Sequence, residues 1–412
     1  MLLYILCGGD NEMALSVEKQ VLISLLKHTL IGDNSLINND NADDSELFEI
    51  SDKHSVNMLA YESTKYLSKP LSADTYNNWI YFASRKMAMN EEVISVQKIL
   101  TQILEKNNIK YFIFKGLCSA YYYNKPELRE LGDIDFYIDF KGFDKADKIL
   151  KSAGFNLISK NDSKHWHYQF NGVDIEMHYG FWDMPENSCT DFLNKFLKDT
   201  LNQTMRYNIN NYCFNGPNPQ THSIIMIMHI INHLQRGGIG LRHLCDFAAF
   251  MMHDEFKNYE NDIADLMKKG GILKTAGVVS KLCCDCFGCD KPSCLYSEDN
   301  EICELFFNDI ISSGNFGKLS EETYYGSSVF TIDKSNNSGF LKSLIKFCRN
   351  AWEPCDKYKV LLPIAPFFVF FRYLIRMIMG KRPKISIYKF AKNGLKRADL
   401  YKNLKFYEES NE

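Results

Sequence analysis

The fold is decided by residues 114–139, which read FKGLCSAYYYNKPELRELGDIDFYID. The segment DIDFYI within this stretch alternates polar and apolar side chains, as is typical of a β-strand. Residues two apart on a strand point to the same face, so Asp133 and Asp135 are expected to project side by side. Two adjacent carboxylates repel each other unless a cation neutralises them. The pair therefore predicts a divalent-cation site, and two solvated acids at a strand edge are the alternative.

A third carboxylate follows on a second alternating run, residues 173–178 (VDIEMH), which carries Glu176. Asp174 and His178 fall on the same face of this run as Glu176, so the three side chains form a polar stripe. Carboxylates on neighbouring strands supply the hard oxygen ligands that Mg²⁺ prefers. The stripe is either the polar outer face of a hairpin or part of a magnesium site.

Residues suited to phosphate accompany the aspartate pair. Arg129 lies four residues before Asp133, and its guanidinium has the planar fork that matches phosphate oxygens. The preceding strand ends in Lys115 and Gly116, and a glycine allows the backbone to approach a phosphate at the start of the next helix. These residues strengthen the functional interpretation of the two aspartates.

The composition is that of an ordinary globular protein. Its 412 residues suffice for two or three domains, with 45% hydrophobic and 24% charged residues. The net charge of −3 implies no global attraction to nucleic acid or to a membrane surface. Residues 1–10 contain an apolar run without basic residues, so we predict no secretory signal. The 13 cysteines are an odd number, so they cannot all pair with one another within the chain. The expected compartment is a reducing cytoplasm in which the thiols are free.

Hydrophobic periodicity divides the chain into three regions. Residues 1–108 predict an N-terminal helical region, residues 109–215 a core of strands and helices, and residues 216–412 a C-terminal helical region. Asn171 and Gly172 separate two alternating runs, which is a strong hairpin signal. The expected fold class is α+β, a small mixed sheet with helices flanked by the two helical regions. Strands are predicted at residues 109–114, 134–138, 155–158, 165–170 and 173–178.

The order Lys115-Gly116, Arg129, Asp133-Ile134-Asp135, followed by a strand that bears Glu176, resembles the nucleotidyltransferase superfamily of the DNA polymerase β type. Within it the chain is most similar to the bacterial branch of uncharacterised nucleotidyltransferases. The resemblance continues through residues 227–250 and to Leu362, Pro363 and Arg372. It implies that the core has the polymerase-β-like fold.

The resemblance also implies a reaction. Two Mg²⁺ ions bind the triphosphate of a nucleotide such as ATP, and an acceptor hydroxyl attacks the α-phosphorus while pyrophosphate leaves. Asp133 and Asp135 are expected to hold the metal ions, and Glu176, rather than Asp174, is the third carboxylate by the family pattern IEMHY. The residues expected to bind the nucleotide are Lys115, Gly116, Ser119, Arg129 and His178.

The turn after the first strand departs from the superfamily pattern. Most members have a Gly-Ser turn whose serine contacts phosphate, whereas this chain has Lys115-Gly116-Leu117, with Ser119 close by. Lys115 could meet the phosphates as a point charge instead. The departure motivates a second hypothesis, in which a catalytically degenerate member binds a nucleotide or a partner without turnover. The acceptor is not encoded in any short motif, and no basic groove predicts nucleic acid as a partner.

Two pairs of residues on predicted helices allow different interpretations. His229 and His233 are four apart, which is the spacing of metal ligands on a helix, but the sequence HIINH is not the HExxH pattern. A buried histidine pair is the preferred interpretation, and a contact with substrate or nucleotide is the alternative. Arg242 and Asp246 are also four apart, and we predict a structural ion pair under the active-site cleft.

The cysteine cluster at residues 283–294 contains Cys286-x-x-Cys289. A second CxxC pair at a suitable distance is missing, so we favour cysteines buried at the end of a helix over a zinc site. Residues 360–379 are apolar but contain two prolines and two arginines, which favours a buried helix after Pro366. A membrane-surface contact of this basic C-terminal region is the alternative.

Overall fold

The computed structural model describes residues 15–161, 165–181 and 184–315, together with residues 352, 354, 358–365, 367–368, 371–372, 375, 397 and 399–408. Residues 1–10, for which no signal was predicted, lie outside the described residues. So do residues 366, 369–370, 373–374 and 376–379 of the predicted C-terminal helix. No helix among the described residues is both long enough and apolar enough to cross a membrane.

Side-chain caps begin two of the helices in the N-terminal region. Asp43 accepts hydrogen bonds from the backbone N–H groups of Ser45 and Glu46, and Ser72 accepts one from Thr75. The sequence predicts helical patterns around residues 47–67, and in the structure the chain turns within them at Ser55, whose φ is 54°. The helices of described residues 15–106 are α1 (Val17–Ile31), α2 (Asp44–Lys53), α3 (Asn57–Ser63) and α4 (Ala73–Lys106).

The core contains the predicted mixed sheet. Its five strands lie in the order β1-β2-β5-β4-β3, in which β2 and β5 are parallel and the other neighbours are antiparallel. The pairing of β2 with β5 places the two predicted acidic strands side by side. The strands are β1 (Tyr111–Phe114), β2 (Ile134–Ile138), β3 (Asn156–Asn161), β4 (His165–Phe170) and β5 (Val173–His178).

The turns that bound these strands follow local sequence. Asn171 and Gly172, with φ values of 49° and 79°, connect β4 to β5 as the predicted hairpin. Gly154, with φ of 92°, ends the helix that follows β2, as its position predicts. The helices of the core are α5 (Gly116–Ala120), α6 (Phe140–Ser152) and α7 (Ser188–Asp199).

Sequence reasoning missed a second hairpin. Strands β6 (Met205–Ile209) and β7 (Tyr212–Gly216) form a two-stranded sheet joined by Asn210 and Asn211, whose φ values are 48° and 64°. Asparagine tolerates this left-handed conformation, so the Asn-Asn pair within NINNYCF was an available signal.

Residues 216–315, the main described part of the C-terminal region, are largely helical, as the sequence predicts. Asn218 caps its first helix by accepting a hydrogen bond from the N–H of Thr221. A continuous cluster of buried apolar side chains extends from Val21 to Tyr407 and includes residues of all three predicted regions, whose boundaries stay a prediction. The helices of described residues 216–315 are α8 (Pro219–Arg236), α9 (Leu241–Met252), α10 (Asp254–Lys269), α11 (Leu273–Phe287) and α12 (Asn300–Ser313).

Candidate active site

Three carboxylates converge where β2 lies beside β5. The parallel register places Asp135 opposite Glu176, and Asp133 precedes Asp135 on the same face. Ligand oxygens of Asp133, Asp135 and Glu176 all lie within 4.8 Å of one another. Asp135 is buried, Glu176 is half-buried and Asp133 is open to solvent. These residues, which we call the carboxylate trio, thus form a site that is closed at its base and accessible at its mouth.

Lys115 reaches the base of this site. Its Nζ donates a hydrogen bond to Oδ1 of Asp135 at 2.8 Å. Burial opposes the charge on Lys115, but the carboxylates of Asp135, Asp133 and Glu176 outweigh it and raise the pKa of the ammonium group. Lys115 has φ of 57° and ψ of −142°, a strained conformation for a residue with a Cβ. The strained backbone holds a charged lysine against the carboxylates.

His178 is the second cation-forming group at the base. Its Nε2 lies 3.0 Å from Oδ1 of Asp135 and 3.1 Å from Oε2 of Glu176. Burial alone lowers the pKa of His178, but hydrogen bonds to Asp135 and Glu176 reverse this, and the pKa is raised above its usual value. Burial likewise acts to raise the pKa of Glu176, but the hydrogen bond and charge of His178 lower it. Glu176 is therefore an ionised carboxylate.

Asp133 differs from its two partners. The protein atoms around the carboxyl group of Asp133 displace part of its hydration, which raises its pKa, and the negative charge of Asp135 raises it further. The positive charges of Lys115 and Arg242 lower it. The positive charge of Arg242 therefore acts on Asp133, the exposed acid of the trio. Among the described residues Arg242 forms no ion pair, and its buried Nε has no hydrogen-bond partner. Sequence reasoning placed Arg242 under the active-site cleft as the partner of Asp246, and not as a charge that acts on the trio.

The structure corrects the predicted Arg242–Asp246 ion pair. Asp246 pairs instead with Arg129, whose Nε donates to Oδ1 at 2.9 Å and whose Nη2 donates to Oδ2 at 2.8 Å. Nη1 of Arg129 donates to the backbone oxygen of Glu130 at 3.1 Å. Arg129 is buried and its guanidinium is engaged within the protein. Its predicted contact with phosphate stays a prediction that this geometry does not favour.

The remaining predicted nucleotide-binding residues lie on the turn into α5. A Cβ on Gly116 would lie 3.8 Å from the backbone oxygen of Asp133, so this glycine is adjacent to the trio with open space beside it. Ser119 is 2% exposed and lines a small cavity of about 20 Å³ together with Lys115 and Arg129. The structure therefore places Gly116 at the mouth of the site and Ser119 behind it.

Asn90 of α4 fixes the loop that precedes Asp133. Its Nδ2 donates to the backbone oxygens of Glu127 and Arg129, and its Oδ1 accepts a hydrogen bond from the N–H of Leu131. Asn90 is buried, so these bonds are made away from water, where leaving them unmade is costly. The position of Asp133 thus depends on a side chain from the N-terminal helical region, which sequence reasoning did not assign to the site.

Asp174 shares a face with Glu176 but has other partners. Its Oδ1 lies 3.0 Å from Nε2 of His167 and accepts a hydrogen bond from Gln169 at 3.2 Å, both on β4. Asp174 is exposed and does not belong to the group of converging carboxylates. The geometry agrees with the choice of Glu176 as the third acid.

The cysteine cluster packs as apolar side chains. Cys283, Cys286 and Cys289 are buried, and the thiols of Cys283 and Cys289 lie against the backbone oxygens of Leu244 and Ala248. Burial raises the pKa of all three thiols, which opposes the thiolate form that zinc requires. Within the described part of the chain, no cysteine belongs to a group of three converging metal ligands.

The residues of the carboxylate trio fit Mg²⁺. They offer hard oxygen ligands from two adjacent strands, and Asp133 is exposed to solvent. Lys115 and His178 both contact Oδ1 of Asp135, so they neutralise one side of the trio. The arrangement can hold divalent cations and, with Lys115 and Arg242, attract an anionic substrate.

Comparison with known proteins gives the class of this protein. The family model described as an uncharacterised nucleotidyltransferase matches residues 40–288, more than half of the chain. The chain therefore belongs to this family of nucleotidyltransferases, which confirms the family resemblance stated for the sequence. No curated protein matches it significantly.

Two solved structures resemble parts of the chain. One is an antigenic nucleotidyltransferase-like protein from Paracoccidioides brasiliensis, with 17% identity and a TM-score of 0.28, covering 42% of this chain and 88% of that one. The other is a tRNA-processing enzyme in an apo form, with 12% identity and a TM-score of 0.22, covering 75% of this chain and 98% of that one. Similarity at this level carries no functional argument.

Proposed function

We propose that the protein transfers a nucleoside monophosphate from a nucleoside triphosphate, such as ATP, to a hydroxyl group of an acceptor. The observation that carries the proposal is the convergence of Asp133, Asp135 and Glu176 within 4.8 Å in a member of a nucleotidyltransferase family. Two Mg²⁺ ions held by these carboxylates would activate the acceptor oxygen and neutralise the charge of the phosphates.

The three carboxylates have different tasks in this proposal. Asp135 and Glu176 are metal ligands whose negative charge is partly compensated by Lys115 and His178. Asp133 is the acid nearest to solvent and meets the incoming metal and triphosphate. The low proton affinity of Glu176 favours its role as a metal ligand over that of a general base.

The phosphates would lie between Asp133 and α9. The charge of Arg242 acts on Asp133, and Arg242 has no carboxylate partner within the described chain, so we assign it the forked phosphate contact first predicted for Arg129. Gly116 lets the phosphates approach the backbone beside Asp133. Lys115 neutralises negative charge at the buried base of the trio through its contact with Asp135, and His178 orients Glu176 through its contact with Oε2. The buried Ser119 supports the turn.

A second candidate function has its own support. Lys115 and His178 both contact Oδ1 of Asp135, at which a metal ion would otherwise supply the positive charge. A site neutralised by its own side chains suits a degenerate member that binds a nucleotide or a partner without turnover. The Lys115-Gly116-Leu117 turn, which replaces the Gly-Ser turn of the superfamily, points in the same direction.

The test is incubation of the purified chain with α-³²P-labelled nucleotides, Mg²⁺ and a host-cell lysate, followed by identification of the labelled product. We expect the wild-type chain to label an acceptor, and Asp133→Asn to reduce labelling about 1000-fold or more because a metal ligand is lost. Asp174→Asn is the matched control, since Asp174 lies on the same face outside the trio, and it should retain activity.

Calorimetry separates the two candidates. Nucleotide binding by the wild-type chain without any labelled product or released pyrophosphate would support the binding protein. Equal labelling by wild type and Asp133→Asn would contradict the assignment of the trio. The absence of both nucleotide binding and labelling would contradict nucleotidyl transfer and the nucleotide-binding form of the second function.

A further inference from the structure

Three histidines converge behind the carboxylate trio. His229 and His233 are four apart on one face of α8, and His243 enters from the first turn of α9. One ring nitrogen of each lies within 4.8 Å of the other two. We call this group the histidine cluster. It shares no residue with the trio, so an inference about it does not rest on the proposed function.

The contacts within the histidine cluster are unusual for a packed core. Nε2 of His229 and Nε2 of His233 are 2.6 Å apart. His243 is 4% exposed, and neither of its ring nitrogens has a hydrogen-bond partner in the described part of the chain. Its ring centroid is 5.3 Å from those of both His229 and His233. A buried imidazole normally forms a hydrogen bond through at least one of its ring nitrogens, because burying both nitrogens without hydrogen bonds costs on the order of several kcal/mol.

We propose that His229, His233 and His243 bind one Zn²⁺ ion. A metal ion would satisfy a ring nitrogen of each histidine and would account for the convergence of three imidazoles on one point. Neutral imidazoles are preferred ligands of zinc, and three of them with one open position form an established type of zinc site.

The spacing of the ligand atoms is compatible with this ion. Four ligands at about 2.0–2.1 Å around zinc are separated by roughly 3.3 Å. The closest pair in the cluster, at 2.6 Å, would spread, and the more distant nitrogens, at up to 4.8 Å, would approach each other. Rotation of the imidazole rings supplies movements of this size, so no shift of α8 or α9 is needed.

The fourth ligand would come from the adjacent cavity. His229 and His243 line a space of about 20 Å³ that also touches Lys115. This volume accommodates about one water molecule, which needs roughly 10–15 Å³. Water in this space would complete the zinc site on the side of Lys115. The ion would then join α8 to α9 around the turn at residues 237–240 and position the helix that carries Arg242.

Titration of the chelator-treated full-length chain with ZnCl₂ tests the proposal. We expect one Zn²⁺ per chain, and a loss of affinity of about 100-fold or more in His243→Asn because a direct ligand is removed. His222→Asn is the matched control, since His222 is equally buried, lies on α8 and lines the same cavity outside the cluster. His222→Asn and Asp133→Asn should bind zinc as the wild type does.

X-ray absorption of the zinc-loaded wild-type chain keeps the test independent of any variant that does not fold. A first shell with three imidazole nitrogens supports the proposal. Failure of the wild type to bind stoichiometric zinc, unchanged affinity in His243→Asn, or a first shell dominated by carboxylate oxygen would overturn it. Loss of zinc in His165→Asn would assign the ion to the separate group of His165, Glu176 and His178 and would also overturn it.

Discussion

At the scale of single residues, Lys115 places a positive charge at the buried base of the carboxylate trio. Its strained backbone, with φ of 57°, aims the ammonium group at Asp135, where the hydrogen bond is 2.8 Å long. Strain of this kind costs about 1–3 kcal/mol and persists where surrounding contacts enforce it, often at functional sites. In the proposed function the forked phosphate contact is assigned to Arg242, a residue outside this turn.

Substitution of Arg242 tests this assignment. Arg242→Ala should weaken the binding of a Mg²⁺-bound, non-hydrolysable nucleoside triphosphate about 10- to 100-fold, as expected for lost charge-assisted hydrogen bonds. Arg242→Lys should recover only part of the affinity, because lysine lacks the planar fork. Calorimetric titration measures both. Arg206→Ala, which removes an exposed arginine paired with Glu105, is the control, and equal affinity in all variants would contradict the assignment.

Buried histidines predict the response of stability to acid. Burial lowers the pKa of His54 and of His222 to about 3, well below the value of about 6.5 in an unfolded chain. The unfolded state therefore binds more protons between pH 6.5 and 3. Each histidine's contribution is complete above pH 6.5 and is lost as pH falls, by up to about 1.4 kcal/mol per pH unit.

Urea unfolding at several pH values between 7.5 and 4.5 measures this loss. His54→Asn should have a shallower dependence of unfolding free energy on pH than the wild type, because asparagine does not titrate. Its side-chain oxygen can still accept the hydrogen bond that Nδ1 of His54 accepts from the N–H of Leu241. An unchanged slope in this variant would show that His54 is not a source of the acid sensitivity.

At the scale of secondary-structure elements, the two hairpins differ in how well their sequences reveal them. The turn of β4–β5 carries Asn171-Gly172, whereas β6–β7 carries Asn210-Asn211 and ends at Gly216. Gly216 is needed for packing. A Cβ there would lie 2.4 Å and 2.6 Å from ring carbons of Tyr207 and 3.0 Å from Sγ of Cys118, both fully buried. The second hairpin thereby packs directly on α5, the helix that follows Lys115.

Gly216→Ala should lower the unfolding free energy by about 1–3 kcal/mol, because neither neighbour can move away from the added methyl group. Urea unfolding measures the change. Gly142→Ala is the matched control: it lies within α6, nothing stands within 4 Å of the added Cβ, and alanine favours a helix, so stability should be unchanged or raised. Equal stability of wild type and Gly216→Ala would contradict this account of the hairpin.

At the scale of the whole molecule, the loop before β2 is held from two sides. Asn90 of the N-terminal region bonds its backbone, and Asp246 of the C-terminal region pairs with its Arg129. Tyr123 also donates a hydrogen bond to Asp246, at 2.7 Å. The active-site acids therefore have positions that depend on contacts among all three regions, and not on the sheet alone.

Breaking the buried Arg129–Asp246 pair tests this dependence. Asp246→Leu should lower the unfolding free energy by about 3–5 kcal/mol, because it leaves a buried guanidinium without its partner. Adding Arg129→Met should restore a substantial part of the loss, since two apolar side chains replace the pair. Denaturant unfolding of the single and double variants measures the coupling. A double variant no more stable than Asp246→Leu would contradict the proposed pairing energetics.

Features that depend on neighbours along the chain could be predicted from the amino-acid sequence. The alternation of DIDFYI placed Asp133 and Asp135 on one face, Asn171-Gly172 set the β4–β5 turn, and helical periodicity identified the flanking regions. Three-dimensional packing was needed to show that Asp246 pairs with Arg129, that the charge of Arg242 acts on Asp133, and that His243 meets His229 and His233. Spacing on one helix predicts which residues are close, but the partner that a buried charge or ring finally meets depends on how helices distant in sequence pack.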